Sequence, residues 1–422
     1  MRKKFASFVF AMACVAIETR AYAEETKGCS AEVTRANVVP CALARSLSVR
    51  GEEKTLDALQ GKRVASNLFL PSNPVLSLSG GRRVAVGGTQ DAINWYATLA
   101  QEIEIAGQRG SRVRSVDASL VAQDKRVLLS KRESAVLAWT AYFEAIAARE
   151  QKLLTERLLA TAERMRLVAR AKADKGLSAT LDADLADAAS LRLLQLKLAA
   201  DRSVAATNAQ LAFLLDRDPS ANIAIEGELV PLGNVSRTTP VEQRPEVQAQ
   251  KAERDALLLK AESFRRSRVP NPTISLFVQN DGFNERVYGL GLALPIPLPS
   301  PVGRTYAGEI AEAKALAERA DIDRSRTERE LRMDLVDAEA THTAHRLAVE
   351  SLTPERVARA ERSLRDLQVE IEAGRMGVRD ALVAQQTLIE LLQMNISERR
   401  ALCLASLELA RASGAPLEGG LQ

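Results

Sequence analysis

The sequence predicts a mainly α protein with transmembrane β: two tandem copies of a long α-helical hairpin, each with its own β-hairpin. Three observations predict it. The stretch "LPSNPVLSLSGG" (70–81) is rewritten as "VPNPTISLFVQNDG" (269–282), with Asn73-Pro74 and Asn271-Pro272 lying 198 residues apart (271 − 73). Two stretches of about 60 residues, 112–173 and 306–372, are rich in Ala, Leu, Arg, Glu, Lys and Gln and nearly free of Gly and Pro, which is strong helix chemistry. Between helices, apolar and small or polar residues alternate with period two, the mark of strands with two unlike faces.

The chain opens with an export signal over 1–23. Arg2, Lys3 and Lys4 form a basic start, Phe5 to Ile17 is an apolar run broken only by Ser7, and Ala21-Tyr22-Ala23 is an A-x-A cleavage site. The run is too short to span a membrane as a helix, and no later run reaches the necessary length. The formal charge of +4 includes Arg2, Lys3, Lys4 and Arg20 against Glu18, so the exported part carries +1 (4 − 4 + 1). That balance gives no case for nucleic acid.

Four cysteines follow two fates. Cys14 lies in the signal and Cys403 in a late helix, while Cys29 and Cys41 either pair in an oxidising compartment or stay free. Lipid modification of a cysteine competes with these readings, but neither "AMAC" nor "TKGC" carries a leucine-led lipoprotein box.

The repeat sets the organisation of the rest. The 198-residue offset also carries Gly176 onto Gly374, Asp182 onto Asp380, and Leu76 and Leu78 onto Ile274 and Leu276. The first repeat (24–215) has a helix over about 42–66, a β-hairpin over about 73–105, the long helical stretch, a tip near 176 and a return helix over about 179–215. A connector (216–240) punctuated by Pro219, Pro231 and Pro240 allows at most one short strand, "NIAI". The second repeat (241–412) has a helix over about 241–268, a β-hairpin over about 271–298, a long stretch, a tip near 374 and a return helix over about 378–412. Residues 413–422 read as a flexible tail. In the second long stretch Ala360, Leu364, Leu367 and Ile371 follow the 4-3-4 spacing of a coiled-coil seam. About 60 residues at 1.5 Å each give a helix on the order of 90 Å, the length of a spacer rather than of a compact domain.

Ile274, Leu276 and Val278 alternate with Thr273, Ser275 and Gln279, and Leu290, Leu292, Leu294 and Ile296 with Gly289, Gly291, Ala293 and Pro295. In the first half Leu76 and Leu78 alternate with Ser77 and Ser79, and Leu99, Ile103 and Ile105 share a parity. Such hairpins either lie on a soluble core or turn their apolar face to lipid and their polar face to a lumen. Trp95, Tyr96, Phe283 and Tyr288 near strand ends suit an aromatic girdle, and with the export signal and long helices they favour lipid. Four strands cannot close a barrel, and an open edge cannot stand in lipid, so several copies must pool them: three copies of four strands make a 12-stranded barrel.

These residues resemble the TolC-like outer-membrane factors of tripartite efflux pumps. "RPEVQAQKAERDALLLKAESFRRSRVPNPTISL" is similar to the lead-in helix and first strand of the family's second half, and "LAQEIEIAGQRGSRVRS" and "LPIPLPSPVGR" to its strand-to-helix crossings. "KGLSATLD" and "AGRMGVRDALVAQQTL" resemble its two helical tips, and "QEIEIAGQRGSR" is similar to the CzcC-like branch associated with heavy-metal cation export. The resemblance covers nearly the whole exported chain. It implies a homotrimer in outer-membrane lipid, its 12-stranded barrel set on a 12-helix periplasmic tunnel. A periplasmic adaptor and an inner-membrane pump, commonly a proton-driven RND transporter, are its implied partners. Adaptor contact falls on Gly176, Leu177 and Ser178 and on Gly374, Arg375 and Met376. The family's acidic gate ring matches Asp380, but the second acidic position falls on Val383, and Asp182 is a further candidate lumen charge. Three carboxylates around a pore axis attract cations and repel each other, so a narrow neck of that kind is selective and strained. The bland alternative for Asp380 is a residue that complements a helix dipole.

Catalytic chemistry is not written in the chain, and no cofactor is implied. His342 and His345, with Glu339 a turn earlier, read as solvated helix residues rather than a metal site. "GGRRVAVGG" (80–88) lacks a Walker ending and reads as a hairpin loop. A duct for type I protein secretion or drug efflux, or a soluble periplasmic coiled-coil scaffold, are the competing functions.

Overall fold

The computed structural model of the protein describes residues 29, 32–84, 92–233, 239–280, 285–299, 301–373 and 375–417. The export signal expected over 1–23, Cys14, Phe283 and residues 418–422 lie outside the described residues.

Each half runs helix, β-hairpin, long helix, return helix. In the first, a two-residue strand β1 (Glu32–Val33) leads to α1 (Val38–Arg45) and α2 (Leu47–Ser66), the latter capped by Ser46, whose hydroxyl accepts from Val49 N at 3.4 Å. Strands β2 (Val75–Arg83) and β3 (Ala92–Glu102) follow, then α3 (Gln108–Asp174) and its return α4 (Thr180–Leu214). At 67 residues α3 is about 100 Å long. The connector holds β4 (Ala224–Ile225), which pairs in parallel with β1 and so ties it to the N-terminal segment. The second half has α5 (Pro245–Arg266), β5 (Thr273–Asn280), β6 (Arg286–Ala293), α6 (Ala307–Ser351), α7 (Pro354–Glu372) and α8 (Val378–Ser413).

The long stretch expected over 306–372 is therefore two helices. Pro354 has no N–H to continue α6 and disfavours helical geometry in the residue before it, so the chain leaves the helix at Leu352 and restarts. Thr353 caps the new start, accepting from Arg356 N at 3.4 Å. The seam residues Ala360, Leu364, Leu367 and Ile371 of α7 are all buried, where they meet Leu158 and Met165 of α3 and Ile389 and Ala381 of α8.

The two hairpins do not stay separate. β3 pairs antiparallel with β5, from Trp95 opposite Asn280 to Glu102 opposite Thr273, giving one four-stranded sheet in the order β2-β3-β5-β6. Its register lines up Leu76, Leu99, Leu276 and Leu290 in a single row across all four strands. All four leucines are exposed, as are Leu78, Ile93, Ile274 and Leu292 on the same face. The opposite face carries Ser77, Thr98, Phe277 and Gly289. Strand ends differ from expectation: β3 stops at Glu102, so Ile103 and Ile105 lie beyond it, and β6 stops at Ala293, before Leu294 and Ile296. The glycines expected in a loop at 80 and 81 are strand residues of β2.

Midway along the helices lies the largest core. Trp139, Tyr142, Phe143 and Ile146 of α3 pack with Leu211 of α4, Cys403 and Leu407 of α8, and Val38 and Val39 of α1. Trp139 stacks on Phe143 at 5.3 Å and meets Tyr142 edge-on at 5.7 Å. Cys29 and Cys41 are disulfide-bonded, with Cα atoms 5.4 Å apart, which ties the chain at residue 29 to α1, itself packed on this core. Residues 413–417, expected to belong to a flexible tail, are packed against the fold. Thr239 N donates to Ser413 O at 2.9 Å, Arg132 donates to Ala415 O at 3.1 Å, and Leu417 is buried in the aromatic cluster.

Candidate functional site at the helical tips and the strand elbows

Both tips stand at the same end of the helices. At the first, Gly176 takes a left-handed φ of +70° and so turns the chain sharply, with its N–H on Ala173 O at 2.9 Å and Leu177 N on Lys172 O at 2.8 Å. This turn throws Leu177 outward, 72% exposed. Ser178 follows half-buried, its hydroxyl without a hydrogen-bond partner among the described residues. At the second tip Gly374 lies outside the described residues. Arg375 is exposed and bonds Glu370 through Nε (2.7 Å) and Nη2 (2.8 Å), and this hydrogen bond holds the Glu370 carboxyl below its ordinary range. Met376 is half-buried.

A small core fastens the tips together. Met165 and Ala169 of α3 and Ala186 of α4 pack with Leu367 and Ile371 of α7 and Val378 and Ala381 of α8, with Met376 against them. Lys172 Nζ donates to Ile371 O, a direct bond from the first tip to the second.

Asp182 and Asp380 each stand in the first turn of a return helix, α4 and α8, where the helix dipole favours a carboxylate. Asp182 is half-buried and Asp380 exposed, and neither forms an ion pair among the described residues. Val383, one turn on from Asp380, is exposed and puts an aliphatic side chain where a second acidic ring would need charge.

The opposite end of the helices meets the sheet at two elbows. The chain enters α3 through Gly107 (φ +70°) and α6 through Tyr306 (φ +52°), a left-handed residue at the same place in each repeat. Tyr306 is held by stacking on Phe264 at 6.3 Å and by Arg304, 4.6 Å over its ring. Asn271 of the repeated Asn-Pro pair is a latch. Its Nδ2 donates to Glu102 Oε1 at 2.7 Å, and its Oδ1 accepts from Gln108 Nε2 at 2.9 Å. Pro272, lacking an N–H, offers its carbonyl to Ile103 N at 2.9 Å. The motif is visible in the sequence, but its partners are not. Asn73, its repeat mate, is exposed.

Two further clusters have no mark in the sequence. Arg244 is buried and donates through Nη1 to Ala412 O at 2.8 Å and through Nη2 to Arg411 O, capping the C-terminus of α8. Nothing local in "TTPVEQRPE" signals this. His345, expected to be solvated, is pinned instead: its Nδ1 lies 2.8 Å from Glu398 Oε2 and joins α6 to α8. No group of three or more metal-ligating side chains is gathered among the described residues. No described helix is long and apolar enough to cross a membrane.

No family model matches the sequence. The nickel-cobalt-cadmium resistance protein NccC of Alcaligenes xylosoxydans xylosoxydans is 29% identical over 213 residues, 49% of this chain and 47% of that protein. The chain is thus matched over about half the length of this curated relative. Likeness to solved structures runs much further. A membrane protein of Pseudomonas aeruginosa superposes with a TM-score of 0.77 at 16% identity, over 91% of each chain. The outer membrane protein VceC of Vibrio cholerae gives 0.72 at 17% identity, over 90% of this chain and 95% of its own. The chain has the fold of the TolC-like outer-membrane channels. CusC, whose crystal structures concern conformational changes accompanying folding and transmembrane channel formation, shares this fold with a TM-score of 0.73 at 13% identity, over 89% of this chain and 91% of that one.

Proposed function

We propose that the protein is the outer-membrane exit duct of a tripartite efflux system, working as a homotrimer and passing heavy-metal cations. The observation that carries this reading is the row of exposed leucines across a sheet whose outer strands, β2 and β6, have no further strand partner among the described residues. Unpaired strand edges cannot stand in hydrocarbon, and an aliphatic face is unstable in water, so the sheet needs both lipid and closure. Three copies supply 12 strands and a closed barrel, with the small and polar face turned to a lumen. Below it α3, α4, the α6–α7 pair and α8 of each copy continue as a 12-helix tunnel in the periplasm.

The tips at Gly176–Ser178 and Gly374–Met376 receive the periplasmic adaptor, and an inner-membrane RND transporter supplies the energy. The duct does no covalent chemistry and holds no cofactor. Asp380, with Asp182 behind it, rings the closed entrance, and three unpaired carboxylates brought near one axis select cations and strain the neck. The metal assignment leans on the resistance protein NccC, whose name specifies nickel, cobalt and cadmium. The test is conductance in planar bilayers. The purified protein is expected to insert cation-selective channels, and Asp380→Ala to raise conductance while lowering selectivity. Failure to insert any channel refutes the duct. Normal channels with unchanged conductance and selectivity in Asp380→Ala refute the gate alone.

A further inference from the structure

The aliphatic face of the sheet changes character at the end farthest from the helices. From the row of Leu76, Leu99, Leu276 and Leu290 the register steps to Leu78, Ala97, Val278 and Tyr288, then to Gly80, Trp95, Asn280 and Arg286. The first hairpin adds Arg82 opposite Ile93. In the other direction the face ends in Gln101, Ile274 and Leu292. Among the described strand positions, Arg82 and Arg286 are therefore the charged residues of this face, and no carboxylate shares it. Both are exposed, and each lies six residues (82 − 76; 292 − 286), about 20 Å of strand, from a leucine of the same face. Each also stands beside an exposed aromatic ring. Trp95 is the diagonal cross-strand neighbour of Arg82, and Tyr288 is two residues along β6 from Arg286. Arg286 forms no ion pair with Glu285 or with any other described residue. Arg83, next in sequence to Arg82, takes the opposite face, in the row of Ala92.

We propose that Arg82 and Arg286 hold the phosphate groups of a phosphorylated glycolipid of the outer leaflet. A guanidinium matches phosphate in bidentate geometry, so a carboxylate-free face that carries arginine at one end selects an anionic headgroup there. Trp95 and Tyr288 take the headgroup level, where amphipathic rings are favoured, and the leucines beneath them meet the acyl chains. A free phosphate ion has no use for these apolar neighbours; a lipid has. The inference rests on the outer-membrane reading, which sets the end away from the helices at the outer leaflet. To that reading it adds the lipid and the residues that take it. Three pooled copies would ring the barrel with six such guanidiniums.

Native mass spectrometry of the full-length protein, released from mild detergent, tests it by titration with bisphosphorylated lipid A. The dephosphorylated glycolipid and phosphatidylglycerol are the controls. Lipid A is expected to bind about tenfold or more tightly than either. Arg82→Gln and Arg286→Gln should each weaken it about tenfold, the worth of one charge-assisted hydrogen bond. Arg83→Gln, an equal loss of charge on the opposite face, should leave it unchanged. Should a variant fail to assemble, the two wild-type comparisons decide alone. Equal binding of the dephosphorylated glycolipid or of phosphatidylglycerol overturns the proposal, and so does equal weakening by Arg83→Gln. Channels of normal conductance with no preference for lipid A sink this inference and leave the duct standing, whereas absence of channels removes the reading it rests on.

Discussion

Replacing Arg244 by Met should loosen the end of α8 while leaving the tips untouched. Arg244 is 2% exposed, and its guanidinium donates two hydrogen bonds, to Ala412 O at 2.8 Å and to Arg411 O. Bonds from a charged donor contribute about 1.5–3 kcal/mol each, and the favourable meeting of a cation with a helix C-terminus adds to them. Against this, Met removes a charge that the site disfavours: burial pushes the Arg244 pKa below its ordinary value. Met also keeps most of the packing volume. The net loss is about 2–4 kcal/mol, which raises local opening about 30- to 1,000-fold. Arg132, which donates to Ala410 O and Ala415 O at 3.1 Å each, should keep the loss local. Hydrogen exchange read peptide by peptide is the assay, because a membrane oligomer has no simple two-state unfolding energy. Acceleration over 405–417 with normal protection over 160–190 is the expected result. Unchanged protection at 405–417 would refute the capping role, and uniform acceleration would mean that Arg244 supports the whole fold instead.

Gly107→Val should destabilise the first elbow by about 1–2 kcal/mol, since the backbone there is left-handed and a Cβ would sit 3.0 Å from Arg266 Nη1. Limited proteolysis near 107 should quicken, and Gly107→Asn should be tolerated far better. Leu158→Ala opens a cavity where the helical hairpins pack, at a cost of about 2–5 kcal/mol, and should lower the temperature at which the helices melt. Burial pushes the Cys403 thiol up to about 12, so the fold favours the protonated form and almost no thiolate exists at pH 8. Iodoacetamide should leave Cys403 unmodified at that pH until denaturant is added; rapid labelling of the folded protein would contradict its burial.

Local and periodic signals carried most of the fold into the sequence. The repeat, the long helices and the alternation at Leu76, Leu276 and Leu290 are read from spacing alone, because one face of each strand must differ from the other. Joining the hairpins through β3 and β5 is a tertiary event with no local mark. The break at Thr353-Pro354 did have one, a capping residue followed by proline at the first helical position. At the tips, glycine at 176 was readable because few other residues take a left-handed φ. The small core that binds the tips together was only half visible, in Leu367 and Ile371. Arg244 and the pairing of His345 with Glu398 were invisible, since sequence shows charge but not the carbonyl or carboxylate that folding brings to it.

The central claim, a barrel pooled from three copies, is tested most directly by membrane fractionation followed by electrophoresis of unboiled and boiled samples in mild detergent. The account predicts recovery in the outer membrane, as a band near three times the chain mass that collapses to one chain on boiling. Recovery as a soluble periplasmic monomer would contradict it, and the exposed leucines of the sheet would then need another cover.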